Sequence, residues 1–247
     1  MRIDILTLFP EMFGGVLGSS ILKRAQEGGY LSVNLVNIRD FADNKHKTVD
    51  DYPFGGGPGM ILQVEPLISA VESIGGHPRI ILFTPQGKPL NQKMVRELAG
   101  HDHLLLVCGH YEGIDERFSE LLHPEEISIG DYVLTGGELP AMVLVDAVAR
   151  LIPGVLGETA GGEEESFYQG LLEFPQYTRP QEFRGLRVPE VLLSGHHENI
   201  RRWRREQSIR RTWERRPELL PQANLKEEDY RLLVKLALGE AGGGDAR

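Results

Sequence analysis

Through about residue 152, short apolar runs alternate with amphipathic stretches, and this alternation restricts the fold more than any other feature of the chain. Ile3–Leu8, Leu31–Ile38, Arg79–Thr84, Leu104–Cys108 and Tyr132–Thr135 have the length and composition of strands. Glu11–Glu27, Val64–Ser73, Asn91–Ala99 and Leu139–Leu151 carry helical spacing. Strand and helix in turn predict an α/β fold, with a mostly parallel sheet covered by helices. No apolar run approaches the ~18 residues of a membrane span, so no membrane partner is expected. The opening MRIDILTLFPEMF lacks the basic, apolar, small-residue order of a signal peptide and reads as a strand entering the fold. With Cys108 the only cysteine, an internal disulfide is excluded and a cytoplasmic setting is expected.

The pattern then changes twice. GVLGETAGGEEESFYQG, residues 154–170, holds five Gly and four Glu, a composition that predicts a mobile linker. From about Pro189 to Leu238 the chain turns helical, and the tail GEAGGGDAR is expected to fray. The predicted domains are therefore an α/β domain over 1–160, a linker over 161–173 and a small all-α domain over 174–247.

That last domain carries RRWRREQSIRRTWERR, residues 201–216, with eight Arg against two Glu and both tryptophans of the chain. The segment is +6 in a protein of net charge −9, and such a local reversal points to a polyanion partner. On one helix Arg201, Arg204, Arg205, Arg211 and Arg215 share an arc of about 120°. Ile200, Trp203, Ile209 and Trp213 lie on the other half, where they are expected to dock onto a core. Forked guanidinium groups suit phosphate oxygens, so nucleic acid is the expected partner.

Two loops are candidates for chemistry. CGHYEGIDER, residues 108–117, follows a strand directly, at the end where open parallel sheets bind ligands. Its spacing serves equally a ligand loop, with Gly109 allowing close backbone approach, and a tight turn into a helix. In ISIGDYVLTGGELPAMVLVDAVAR, residues 127–150, Gly130 and Gly136–Gly137 bracket a short apolar run. Glycines there let the backbone fold sharply around a ligand or another chain segment; a plain strand–turn–helix fits the same pattern. PFGGGPGM, residues 53–60, lacks the signature of a phosphate loop. His101, His103, Cys108 and His110 are zinc-type donors, but no second pair closes a four-ligand site, and no metal is expected from them.

CGHYEGIDER, SIGDYVLTGGELPAMVLVDAVARLIPGVLG, FPQYTRP and VPEVLLSGHHENIRRWRREQS closely resemble the bacterial tRNA (guanine-N1)-methyltransferases of the TrmD type. The resemblance runs in order from MRIDILTLFPEMF through RRPELL. It implies the SPOUT class, in which a deep trefoil knot in the α/β domain binds S-adenosylmethionine. It also implies a cytoplasmic homodimer with its active site at the subunit interface, and methyl transfer to N1 of the guanine immediately 3′ of the anticodon (position 37) in tRNA. Carried over by motif, the cofactor would contact Thr84, Pro85, Gly109, Tyr111 and Glu112, then Ile129, Gly130, Asp131, Tyr132, Val133 and Leu134, then Gly136, Gly137 and Pro140. Arg150 matches the catalytic arginine. The general base of the family is the aspartate of Asp-Ser-Phe, and here that place reads Glu165-Ser166-Phe167, one methylene longer, with Glu164 as the second candidate. The resemblance suggests magnesium as well, for which the sequence shows no separate ligand motif.

These residue types suit the reaction. Guanine N1 must lose a proton as it gains a methyl group, which a nearby carboxylate can accept. The resulting charge on O6 can be stabilised by a guanidinium such as Arg150. Two other readings stay open from sequence. A ribose 2′-O-methyltransferase of the same class would use the cofactor loops without the linker carboxylate. A non-catalytic RNA-binding regulator would use the Arg helix without those loops.

Overall fold

A computed structural model of the chain describes residues 1–157 and 165–239. Its chain divides into two compact units, Met1–Ala160 and Gly161–Arg247.

The first unit opens with β1 (Arg2–Thr7), a 3-10 turn at Pro10–Phe13, α1 (Gly14–Leu17), α2 (Ser20–Glu27), β2 (Ser32–Asn37) and a 3-10 turn at Ile38–Phe41. A short antiparallel pair, β3 (Asp50–Asp51) and β4 (Ile61–Leu62), precedes α3 (Val64–Ile74). Then follow β5 (Arg79–Pro89), α4 (Gln92–Ala99), β6 (His103–Val107), α5 (Arg117–Leu122), β7 (Glu125–Ser128) and α6 (Glu138–Ala149). The main sheet runs β2-β1-β6-β5-β7, all parallel.

Strands buried on both faces are rich in apolar residues, and Ile3, Ile5 and Leu6 of β1 and the LLLV run of β6 supply them, with Asp4 and Thr7 buried beside them. Side chains alternate between faces. Ile3, Ile5, Leu104 and Leu106 join one core with α2, α4 and α6, while Leu6, Leu105 and Val107 join a second with α3 and Phe118 of α5. The register Ile3↔Leu104 and Ile5↔Leu106 aligns the apolar positions of β1 and β6.

Three expectations are corrected in this unit and the next. Tyr132–Thr135 is not a strand: it is irregular, with Val133 86% exposed, and the edge strand is Glu125–Ser128. Glu11–Glu27 is not one helix, because Gly18 closes α1 and Ser20 takes φ 50, resetting the chain direction before α2 continues. In the second unit, the region expected to be all helix contains an antiparallel pair, β8 (Glu182–Phe183) and β9 (Leu186–Arg187), turned at Arg184 and Gly185 with positive φ. It is followed by α7 (Glu190–Leu193), α8 (His197–Arg215), a 3-10 segment at Pro217–Gln222 and α9 (Glu227–Ala237).

The expected linker falls partly outside the described residues, and Glu164 with it. Its described part is packed. Leu171 and Phe174 are buried, the Leu172 N–H donates to Thr212 Oγ1 (2.9 Å) and the Asn224 N–H donates to Gln169 O (3.0 Å).

The Arg arc of α8 is likewise not the outward face of that helix. Ser208 and Thr212, in the middle of the arc, are buried together with Ile209, while Trp213 is exposed. Small side chains at 208 and 212 let residues 169–174 approach, and the aliphatic stems of Arg204, Arg205 and Arg211 cover the seam.

Below the sheet, at the amino ends of β1 and β6, Asp4 is fully buried. Burial raises its carboxyl pKa, but hydrogen bonds from Arg2, Asn34 (2.9 Å) and His103 (2.6 Å) outweigh that and hold it below the ordinary value. The unfolded carboxyl titrates near ~3.9. The contribution of the network is therefore present above that pH and is lost as pH falls through it toward the folded value. Asp4→Asn should cost roughly 1–3 kcal/mol at neutral pH and progressively less below pH ~4. Urea unfolding at both pH values checks this, and an equal loss at each would place the cost in packing rather than charge.

Candidate active site

At the carboxyl ends of β6 and β7, and against the middle of β5, lies a cavity of about 430 Å³, entirely within the first unit. This is the position at which open parallel sheets bind ligands. Backbone pairing holds its walls. His110 bridges Gly136 in antiparallel fashion and the Gly137 N–H donates to Gly109 O at 2.8 Å. On the other side the Glu112 N–H donates to Met60 O and the Leu62 N–H to Gly113 O, both at 3.0 Å.

The structure gathers the cofactor candidates here. Thr84, Pro85, Gly109, Tyr111, Glu112, Ile129, Gly130, Tyr132, Val133, Leu134, Gly136, Gly137 and Pro140 all line the cavity, and Asp131 does not. Gln86, His110, Glu116 and Ser119 also line it. Gln86 follows Thr84–Pro85 and His110 lies inside the loop motif, so adjacency could have suggested both. Glu116 and Ser119 sit at the start of α5, where residue type alone says nothing.

The glycines divide by role. A Cβ on Gly137 would lie 2.6 Å from Cys108 Cα, and one on Gly136 would lie 2.4 Å from Glu138 Oε2. Those two permit contact with the protein's own chain. Gly109 is different: its Cβ would meet only Ile114 side-chain atoms at 3.6 Å, an ordinary contact.

The electrostatics are one-sided. Among the described residues Glu112 and Glu116 line the cavity and no Lys or Arg does, while Arg39 stands beside it and donates to the hydroxyl of the lining Tyr111 at 3.3 Å. Beside it Glu138 is 2% exposed, accepts from Thr7 Oγ1 (2.8 Å) and begins α6, where the helix dipole favours a negative charge. His110 Nδ1 lies 3.9 Å from its carboxylate. Burial pushes the Cys108 thiol well above its ordinary value and the charge on Glu138 adds to this, so Cys108 is not poised as a thiolate nucleophile. His101 contacts Arg79 (2.7 Å) and His103 contacts Asp4, at the opposite end of β6. Among the described residues no three His, Cys, Asp or Glu side chains converge as a metal site.

The other predicted residues lie elsewhere. Arg150 caps the carboxyl end of α6, half-buried, and is not part of this lining. Glu165 lines a second cavity, within the second unit, with Arg201, Arg204 and Arg205. Arg205 is held internally: its guanidinium reaches Asp229 (2.7 Å), Asn224 O (2.6 Å) and Gln169 Oε1 (3.1 Å). Arg204 lies over the Phe174 ring at 4.7 Å and Arg211 donates to Glu173 O at 3.4 Å, while Arg201 and Arg215 are exposed.

A cavity at this place in a parallel α/β unit is where folds of that class bind small ligands. Comparison with known proteins narrows this class. Residues 1–222 match the family tRNA (Guanine-1)-methyltransferase TrmD, and the chain belongs to that family. It is 63% identical over 245 residues to the tRNA (guanine-N(1)-)-methyltransferase of Moorella thermoacetica, covering 97% of this chain and 98% of the relative. The enzyme of the same name from Pelotomaculum thermopropionicum is 64% identical, with 96% of each chain covered. That of Staphylococcus epidermidis is 58% identical, covering 94% of this chain and 96% of the relative.

Gly109 and Gly137 should therefore fail differently when branched. Gly109→Val should leave the fold intact and weaken binding of S-adenosylmethionine at least ~10-fold, read by calorimetry. Gly137→Val should lower the melting temperature of the protein, because its side chain meets backbone rather than ligand. An unfolded Gly109→Val with a stable Gly137→Val would reverse these assignments.

Proposed function

We propose that this protein transfers a methyl group from S-adenosylmethionine to N1 of the guanine at position 37, immediately 3′ of the anticodon, in tRNA. The observation that carries this reading is the cavity at the strand ends, lined by Glu112 and Glu116 without a cation, in a chain of this family. S-adenosylmethionine has a sulfonium, an ammonium and no phosphate, so it fits this lining, and when bound it supplies an electrophilic methyl group. Thr84, Pro85 and the loop from Ile129 to Leu134 would hold its adenosine, with Gly109 and Gly137 presenting backbone. Glu112 would receive its cationic end.

The protein's own part is to position guanine and manage one proton. Glu165 accepts the N1 proton as the methyl group arrives, and Arg150 stabilises the negative charge that develops at O6. The arginine helix binds the tRNA backbone. A homodimer, with each active site at the subunit interface, would let residues of two chains serve one reaction. The deep trefoil knot of the class is supported by the passage of Gly137 against Cys108 and Gly109. No helix among the described residues is long and apolar enough to cross a membrane. The family match favours base methylation over ribose methylation or a regulatory role.

Reaction of tRNA with methyl-labelled cofactor, followed by nucleoside mass analysis, should yield 1-methylguanosine, and a transcript with adenosine at position 37 should yield none. Labelled 2′-O-methylnucleoside would overturn the reading. Glu165→Gln should slow single-turnover transfer by ~10²–10⁴-fold, and Glu165→Asp should retain far more activity than Gln. A near-normal rate for Glu165→Gln would move the base elsewhere.

A further inference from the structure

The second unit has a cavity of its own, about 280 Å³, whose charged lining is Glu165, Arg201, Arg204, Arg205 and Lys226. Neighbouring carboxylates already serve two of these cations, Glu198 on Arg201 and Asp229 on Arg205. Among the described residues Glu165 is the one carboxylate that lines the cavity itself. Asp229 is fixed in place, being buried, starting α9 and accepting from the Lys226 N–H at 2.7 Å. Glu198 lies on the exposed face of α8.

Two guanidinium forks and an ammonium around a small cavity match the oxygens of a phosphodiester. A phosphodiester carries one negative charge, the same as the Glu165 carboxylate. Exchange of one for the other leaves the local charge unchanged and needs no proton, whereas adding a phosphate beside a retained carboxylate would set two anions in one cavity.

We propose that this cavity is a phosphodiester site for the RNA backbone, and that Glu165 occupies it in the RNA-free protein. Seating the phosphate expels the carboxylate, so that the base is released to the guanine only when RNA is in place. This deepens, and rests on, the reading of Glu165 as the base of a tRNA methyltransferase. It also sorts the arginines. Arg205 is an internal clamp that shapes the cavity, and Arg201, Arg204 and Lys226 are the groups that meet the phosphate.

The test is a double-mutant cycle on tRNA affinity, measured by filter binding with S-adenosylhomocysteine so that no turnover occurs. Removing the competing carboxylate with Glu165→Gln should tighten tRNA binding by about 3- to 10-fold, although the same variant slows methyl transfer. In a Lys226→Met background that gain should fall below about twofold. Lys226→Met alone should reduce the slope of log affinity against log salt by about 0.7–0.9, one phosphate contact. Should Lys226→Met fold poorly, Arg201→Gln, at an exposed position, replaces it in the cycle. Unchanged or weaker binding by Glu165→Gln, or an undiminished gain in the Lys226→Met background, overturns the proposal. Displacement of tRNA by micromolar inorganic phosphate at constant ionic strength would identify a small-anion site and overturn it as well. Failure here is distinguishable from failure of the function: a Glu165→Gln enzyme slow in transfer but unaltered in affinity keeps the base and removes the phosphate site, whereas absence of 1-methylguanosine from wild-type reactions does the reverse.

Discussion

Gly137 lies against Cys108 and Gly109 so closely that a single added carbon would overlap their backbone. The hydrogen bond from its N–H to Gly109 O joins the loop after β7 to the loop after β6, and the rest of the candidate site depends on that joint. It brings Gly136 beside His110, starts α6 at Glu138 and carries that carboxylate into the interior, where Thr7 from β1 donates to it. Two chain segments thus meet through backbone contact, and β1 joins them through the side-chain hydrogen bond from Thr7 to Glu138. Walls made this way resist deformation, which suits a site whose task is to hold a ligand in one orientation.

The two units carry opposite local fields within one acidic chain. In the first, carboxylates line the cavity and stand behind it, and among the described residues no Lys or Arg joins the lining. In the second, three arginines and a lysine gather around one glutamate. Low-dielectric walls sharpen both fields well beyond what net charge conveys. The two linings thus differ in the charge they present, acidic in one and mostly basic in the other.

Much of the first unit was legible because parallel strands buried on both faces leave a plain signature. Ile5–Leu6 and the LLLV run mark β1 and β6, whose ends fall within a residue of the predicted bounds. Tyr132–Thr135 misled because an apolar, β-prone run next to glycines resembles a strand, yet its residues form a cavity wall, with Val133 out in solvent. Glu125–Ser128 escaped notice for the converse reason: two glutamates stand at an edge strand, where one side faces water. The glycines were visible, but not their division of labour, since whether a missing Cβ makes room for ligand or for chain is a tertiary fact. The arginine arc was read correctly as a stripe and wrongly as an outer face. Helical spacing shows which residues lie together, and small Ser208 and Thr212 at the centre of the stripe decided which way it turned.

Arg205 gives the second unit a further property. One guanidinium reaches a side chain at Gln169, a main-chain carbonyl at Asn224 and a carboxylate at Asp229, all from the middle of α8. No lysine could span three such acceptors in one plane. Because the segment at 169, the chain entering α9 and α8 itself share this one group, none of them can open while the others keep all their partners. Slow amide exchange in this region would then be expected to fail as a block: a single cooperative opening that exposes helix and loop together, rather than a gradual fraying from the ends.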